Sequence, residues 1–461
     1  MSSDTSSAKP LSGGLNFQLS TMMFLQYAIW GAWLPLLWPF LSGHRGFSPS
    51  EIGNMFAIGA VGAIVAPFIA GQIADRWFNT EKFLGISHIL GGILVWQLAS
   101  LETYNSFLVF SLLYSLIYSP TLSLTNSLAF HHLPDRDRDF GKIRVWGTIG
   151  WIVVGIGIGQ WLLHQHTPIG LEAEAVSAAQ AAGMADAFKL SGLLGIVMGI
   201  FCFFLPSTPP AKEEKKSAIG GALDAIRLQP LLTLFLIAVP ISCVHQFYFV
   251  HTAPFLGQFQ NQAEGFIDIV NKIVGVGGGG LMTIGQMAEI GVLAMIPLFA
   301  KKYSRKALLC VGIAAYALRM FLFAYGPNFP ETLQLPAIIL GIAMHGLCFG
   351  CFIFVAFMVV DEECAADVRA SAQSLFNLVI VGIGIIVGSK IAGYVAEIST
   401  VNEVMNYQKL FSVPMWAALA CLVIMQLCYP NKPPATAADG PSDKDADLDI
   451  DSDATSNNGD E

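Results

Sequence analysis

Apolar runs long enough to cross a bilayer follow one another along the chain. They lie at about 17–41, 52–74, 83–101, 105–130, 145–163 and 187–205, then at 228–256, 277–299, 306–325, 334–360, 370–396 and 408–429. A bilayer core takes roughly 20 apolar residues as one helix, so the pattern predicts an all-α polytopic membrane protein with about twelve transmembrane helices. The longest interruption with cytoplasmic character is Pro206 to Arg227, which opens PSTPPAKEEKK and divides the runs six and six. We therefore expect an N-terminal six-helix bundle over 1–205, a cytoplasmic linker over 206–227, a C-terminal six-helix bundle over 228–430 and a tail over 431–461. The tail, with its DKDADLDIDSD stretch, has too little apolar content to fold and is expected to be disordered.

Two of these runs carry polar chemistry where lipid would not tolerate it. The stretch Gly277 to Phe299, GGGGLMTIGQMAEIGVLAMIPLF, holds Gln286 and Glu289 near its middle. A carboxylate at that depth costs about 2.5–3.5 kcal/mol on insertion scales, so it should face a bundle interior or a watery cavity. Three residues apart, the two side chains share one helix face and could grip one polar ligand; pairing to another helix for assembly alone would place them the same way. In the fifth run Arg144, Thr148 and Trp151 are spaced i, i+4, i+7, which aligns a guanidinium, a hydroxyl and an aromatic face along one side of a helix. That is a ligand-binding stripe, or else an interfacial Arg reaching for water beside a packed Trp.

Composition agrees with the pattern. Hydrophobic residues make up 54% of the chain and charged residues 12%, which excludes an ordinary soluble domain. The net charge of -9 comes mostly from the segment after Tyr429–Pro430, which holds nine acids and two lysines. The body is then close to neutral, and neither a nucleic-acid footprint nor a polybasic lipid patch is indicated. The eight cysteines fall in or beside apolar runs, so no disulfide framework is implied, and the Cys348/Cys351 pair reads as core packing rather than metal. Lys and Arg are strongly one-sided. If the N-terminus is cytoplasmic, the outside carries only Arg45, Lys189, Lys272 and Lys409, with Arg319 and Lys390 late in their runs and free to snorkel outward. Both termini are thus expected inside.

Several motifs carry a resemblance. GQIADRW after the second run, with Gly71, Asp75 and Arg76, resembles the loop signature of the major facilitator superfamily, where the acid and base help to hold one state of the transport cycle. The stretches AIWGAWLP, SPTLSLTNSLAF, RVWGTIGW, IGQMAEI, ALRMFLFAYG and RASAQSLF are similar, in order and over most of the chain, to segments of the bacterial nucleoside:proton symporter family. The resemblance implies a major facilitator fold and a nucleoside site to which Arg144, Thr148, Trp151, Gln246, Gln286, Glu289, His345 and Phe349 contribute. Three positions depart from the family pattern: Phe249 stands where an asparagine is expected, His345 where an aromatic hydroxyl is expected, and Gly350 in place of an acid. With that acid gone, Glu289 is the leading candidate to carry a coupling proton. A faint repeat, VVGIGIG in the fifth run against IVGIGII in the eleventh, fits two related halves.

The expectation is a proton-coupled secondary transporter of the bacterial cytoplasmic (inner) membrane that imports nucleosides, a monomer with no cofactor, no metal and no nucleic-acid partner. A flat base asks for aromatic planes, here Trp151 and Phe349, and a ribose asks for hydrogen-bonding groups. No GxxxxGK[ST] loop is present, so an ion gradient rather than ATP is the expected energy source. A porter for sugars or another small polar solute would use the same groups, and a membrane receptor or sensor could share the fold. No HExxH or GxSxG motif suggests an enzyme.

Overall fold

In the computed structural model, residues 10–69, 79–209, 219–261, 265–365 and 368–431 are described. Eleven segments among them are long and apolar enough to cross a membrane: α1 (Gly13–Gly43), α2 (Pro49–Ala66), α4 (Tyr104–His132), α5 (Arg138–Gln165), α6 (Ala173–Cys202), α7 (Leu231–Asn261), α8 (Gly279–Lys302), α9 (Arg305–Asn328), α10 (Glu331–Glu363), α11 (Ser371–Ser399) and α12 (Tyr407–Cys428). The third expected run forms the helix α3 (Thr80–Leu98), 19 residues long. It is less apolar because it carries Glu81, Lys82 and His88. Glu81 and His88 are buried all the same, the first accepting from the Thr208 N–H at 2.8 Å and the second bonded to Gln26 of α1 at 2.9 Å.

Helix ends fall where caps are available rather than where hydropathy ends. The helix of which α5 is the membrane-crossing part runs Arg136–Gln165 and starts nine residues before the apolar run, because Asp135 accepts from the Arg138 N–H at 3.0 Å and fixes the first turn. Ser304 and Asn406 cap α9 and α12 in the same way, at 3.2 Å and 2.9 Å. Two short helices were not expected: Ile219–Ile226 in the linker and Phe266–Val274 between α7 and α8. The opposite ends of α11 and α12 are joined by a two-stranded ribbon, with Thr400 facing Met405.

The packing repeats itself. In the first half α1 packs on α5, α3 on α6 and α2 on α4; in the second, α7 packs on α11, α9 on α12 and α8 on α10. Two related bundles thus stand side by side, and they meet through α2 against α11 and α5 against α8, a swap of equivalent helices. Many of the close approaches between halves lie toward the face opposite the N-terminus. There Gly53 of α2 touches the backbone at Gly393 of α11, the Val276 N–H donates to the Gly159 carbonyl at 3.0 Å, and Trp38 of α1 lies edge-on to His251 of α7 at 4.4 Å.

One turn on that face sets the start of α8. Gly275, Gly277 and Gly278 all have positive φ (78°, 85° and 82°), a conformation that costs other residues a clash of Cβ with the backbone. Gln260 of α7 holds the turn. Its amide donates to Gly275 O at 2.8 Å and to Asn271 Oδ1 at 2.9 Å, and its oxygen accepts from the Gly278 N–H at 2.7 Å. The stretch read from Gly277 therefore turns first and becomes helical at Gly279.

Candidate functional site at the seam between the halves

At about 1.5 Å of rise per residue, Glu289 lies roughly 15 Å from the start of α8 and roughly 20 Å from its end, close to mid-membrane. Its carboxylate is 13% exposed, and Oε2 stands 3.5 Å from Nε2 of His345 on α10. His345 is buried, stacked on Tyr248 of α7 at 4.8 Å with the planes 17° apart. Gln286, one turn before Glu289, is buried with its Oε1 unpartnered among the described residues. An unpartnered buried amide oxygen is a costly feature unless something else, such as a ligand or water, meets it.

The other side of the seam is the α5 stripe. The Arg144 guanidinium lies over the Tyr27 ring of α1, 4.0 Å from its centroid, and is half-buried. Thr148 is half-buried on the same helix. Trp151 lies edge-on to Trp30 of α1 at 5.7 Å and to Phe249 of α7 at 6.5 Å, and Phe249 in turn meets His345 at 6.0 Å. The stripe and the Gln286/Glu289 face are thus joined by a chain of aromatic contacts across the two halves.

Comparison with known proteins fits this geometry. The profile of the family described as "Nucleoside H+ symporter" matches residues 14–433. The chain belongs to the nucleoside H+ symporter family. It is 34% identical over 390 residues to the candidate nucleoside transporter YegT of Escherichia coli (strain K12), covering 82% of this chain and 84% of that protein. It is 29% identical over 416 residues to the xanthosine permease of the same organism, covering 88% and 94%. Among solved structures, a point mutant of the nucleoside transporter NupG superposes with a TM-score of 0.77 at 25% identity, over 89% of this chain and 99% of that one. The nucleoside H+ symporter family is one of transporters, and this chain is a multi-pass membrane transporter rather than an enzyme.

Other positions implied by the family pattern are less directly connected to Glu289. Gln246 is buried on α7 and packs against Gly388 of α11. Phe349 is half-buried in a π-helical segment of α10, Cys348–Phe354, of the kind often found at functional sites. Gly350 faces α8, where an added Cβ would lie 2.6 Å from Val292 Cγ1. An acid there would have to displace the Val292 side chain of α8. Gly71, Asp75 and Arg76 lie outside the described residues. Among those described, no cluster of His, Cys, Asp and Glu could hold a metal ion.

The structure corrects the sequence reading of Arg319. Its side chain does not snorkel outward: it is 0% exposed and turns into the bundle, where Nη1 lies 3.1 Å from Nδ1 of His345. Position late in a helix sets depth, whereas the face a residue presents is set by which helices pack on it, here α7 and α10. A charge inside an apolar run was itself a signal that this residue faces the interior. Tyr27, Trp30 and His245 also belong to the site's surroundings and were not singled out from sequence, although Trp30 stands inside AIWGAWLP.

The packing at Gly350 leads to a test. Gly350→Asp should destabilise the purified protein by about 1–3 kcal/mol, the usual cost of overpacking, with partial recovery when combined with Val292→Ala. Thermal melting in detergent measures this, and an unchanged midpoint would mean that the acid fits after all.

Proposed function

We propose that this transporter moves nucleosides into the cell across the bacterial inner membrane together with protons, by alternating access of a site between its two halves. The observation that carries the proposal is the chain of contacts that leads across the seam from Trp151 on α5 through Phe249 and His345 to Glu289 on α8. The membership in the nucleoside H+ symporter family supports the substrate class and the coupling ion. Chemically, Trp30, Trp151, Phe249 and Phe349 offer π faces for a base, while Arg144, Thr148, Gln246, Gln286 and Glu289 offer donors and acceptors for ribose and base edges. His345 acts on Glu289 rather than as a free ligand.

The excess of Lys and Arg on the face that carries the N-terminus favours a cytoplasmic assignment for both termini and for the linker. A reporter fused after Glu461 that proved active only outside would reverse it. With that orientation, many of the close approaches between halves lie toward the periplasm.

Glu289→Gln separates coupling from binding, because the amide keeps much of the shape and hydrogen-bonding capacity but cannot titrate. The variant should still exchange labelled uridine for unlabelled uridine across proteoliposome membranes, yet fail to accumulate it against a gradient. Accumulation equal to the parent and abolished by a protonophore would remove Glu289 from the coupling role. For the aromatic wall, Trp151→Ala should weaken uridine binding about tenfold or more, the loss of a stacking contact and its buried area, while Trp151→Phe keeps part of the affinity. Equal affinities for all three proteins would reduce Trp151 to a packing residue, and displacement of uridine by free sugars would favour a wider polar-solute porter.

A further inference from the structure

Arg319 heads the fully buried side chains among the described residues, by volume. Its guanidinium lies over the rings of Tyr248 at 4.3 Å and Tyr316 at 5.0 Å. No carboxylate pairs with it among the described residues, and its Nε and Nη2 find no hydrogen-bond partner there. A guanidinium keeps its charge in proteins and can only donate, so the 3.1 Å contact runs from Nη1–H to Nδ1 of His345. That nitrogen must present its lone pair. The ring proton of His345 then sits on Nε2, the atom that faces Glu289 Oε2 at 3.5 Å.

We propose that Arg319 is a positioning residue for proton coupling: it holds His345 as an Nε2–H donor aimed at Glu289, so that the charge of the buried guanidinium reaches the carboxylate through one imidazole. This rests on Glu289 being the group that titrates in the transport cycle. The two nitrogens of His345 face different groups, Arg319 Nη1 within hydrogen-bond distance on one side and Glu289 Oε2 at 3.5 Å, just beyond it, on the other, and the ring cannot take a second proton without losing the guanidinium. The neighbouring imidazole, His245, is engaged elsewhere through a 2.7 Å bond between its Nδ1 and the Tyr316 hydroxyl.

The charges around Glu289 fix the sign of the effect. His345 of α10 stands against it, at 3.5 Å; around that ring stand Arg319 of α9, bonded to it, and Tyr248 and His245 of α7, stacked on it, with Tyr316 of α9 bonded to His245, and Arg144 of α5 is the charged group on the side of the other half. A relayed positive charge favours the ionised carboxylate. Removing it makes proton uptake by Glu289 easier, so the midpoint moves to higher pH.

The test needs no substrate. Purified protein in lipid is titrated by infrared difference spectroscopy, following the C=O band of the protonated carboxyl that Glu289→Gln abolishes. Arg319→Met should raise the midpoint of that band by about one pH unit, and Arg319→Lys, which keeps a donor and a charge, should raise it less. In a His345→Phe background, Arg319→Met should give no further rise. His345→Gln, whose amide can accept from Arg319 and donate to Glu289, should restore the dependence on Arg319. A midpoint unmoved by Arg319→Met overturns the proposal, as does an equal rise in the His345→Phe background, which would mean that the guanidinium acts through space. If the His345→Phe protein does not fold, His345→Met, which fills similar space and likewise cannot bond to both groups, takes its place: no further rise on Arg319→Met supports the relay, and an equal rise overturns it. Absence of a titrating band in the parent would instead remove Glu289 from coupling, an outcome distinct from either.

Discussion

A charge in a medium of low dielectric must be compensated, and in this protein that constraint governs the region where the two halves meet. Arg319 is sealed from water, Glu289 is nearly so, and Arg144 reaches in from the other half. An isolated buried ion is too costly to persist, so each of the three is meaningful only through the others. The compensation is indirect: the quadrupoles of two aromatic rings stabilise Arg319, and His345 stands between it and Glu289. Arg144 likewise rests on the Tyr27 ring. Such an arrangement is sensitive to the arrival of a single proton or a polar ligand, which is what a coupled transporter needs.

The helices make this sensitivity usable. The groups around Glu289 belong to α7, α8, α9 and α10 and move as one body if the C-terminal bundle moves as one. Arg144, Thr148 and Trp151 belong to α5, and so to the other body. A rocking motion at the α5–α8 and α2–α11 contacts would separate Arg144 from Glu289 while leaving Arg319, His345 and Glu289 together. The balance of charge at the carboxylate would then differ between states even though its closest partner stays in place. Small residues and backbone contacts, such as Gly53 against Gly393, make up the part of the seam that must open and close.

Much of this was legible in the sequence, and the rest was not for definable reasons. The helical runs could be read because lipid selects for apolar length, and only α3, diluted by Glu81, Lys82 and His88, falls below the others. The polar opening of the fifth helix could not be read that way, since hydropathy reports lipid contact and Asp135 extends the helix beyond it. Gln286 with Glu289, and Arg144 with Thr148 and Trp151, were visible because i, i+3, i+4 and i+7 spacings place residues on one face of a single helix. The Arg319–His345 contact joins residues 26 apart on different helices, and no local spacing encodes it. Gly350 reads as a lost acid in sequence; its packing against Val292 is visible only in three dimensions.

The central claim is that a nucleoside and a proton cross together and that Glu289 links them. Proteoliposomes loaded with a pH-sensitive dye, with no gradient imposed, measure this directly: adding uridine outside should acidify the interior, and the Glu289→Gln protein should take up uridine without any acidification. Uridine entry with no acidification in the parent protein, or acidification that survives in Glu289→Gln, would contradict the account.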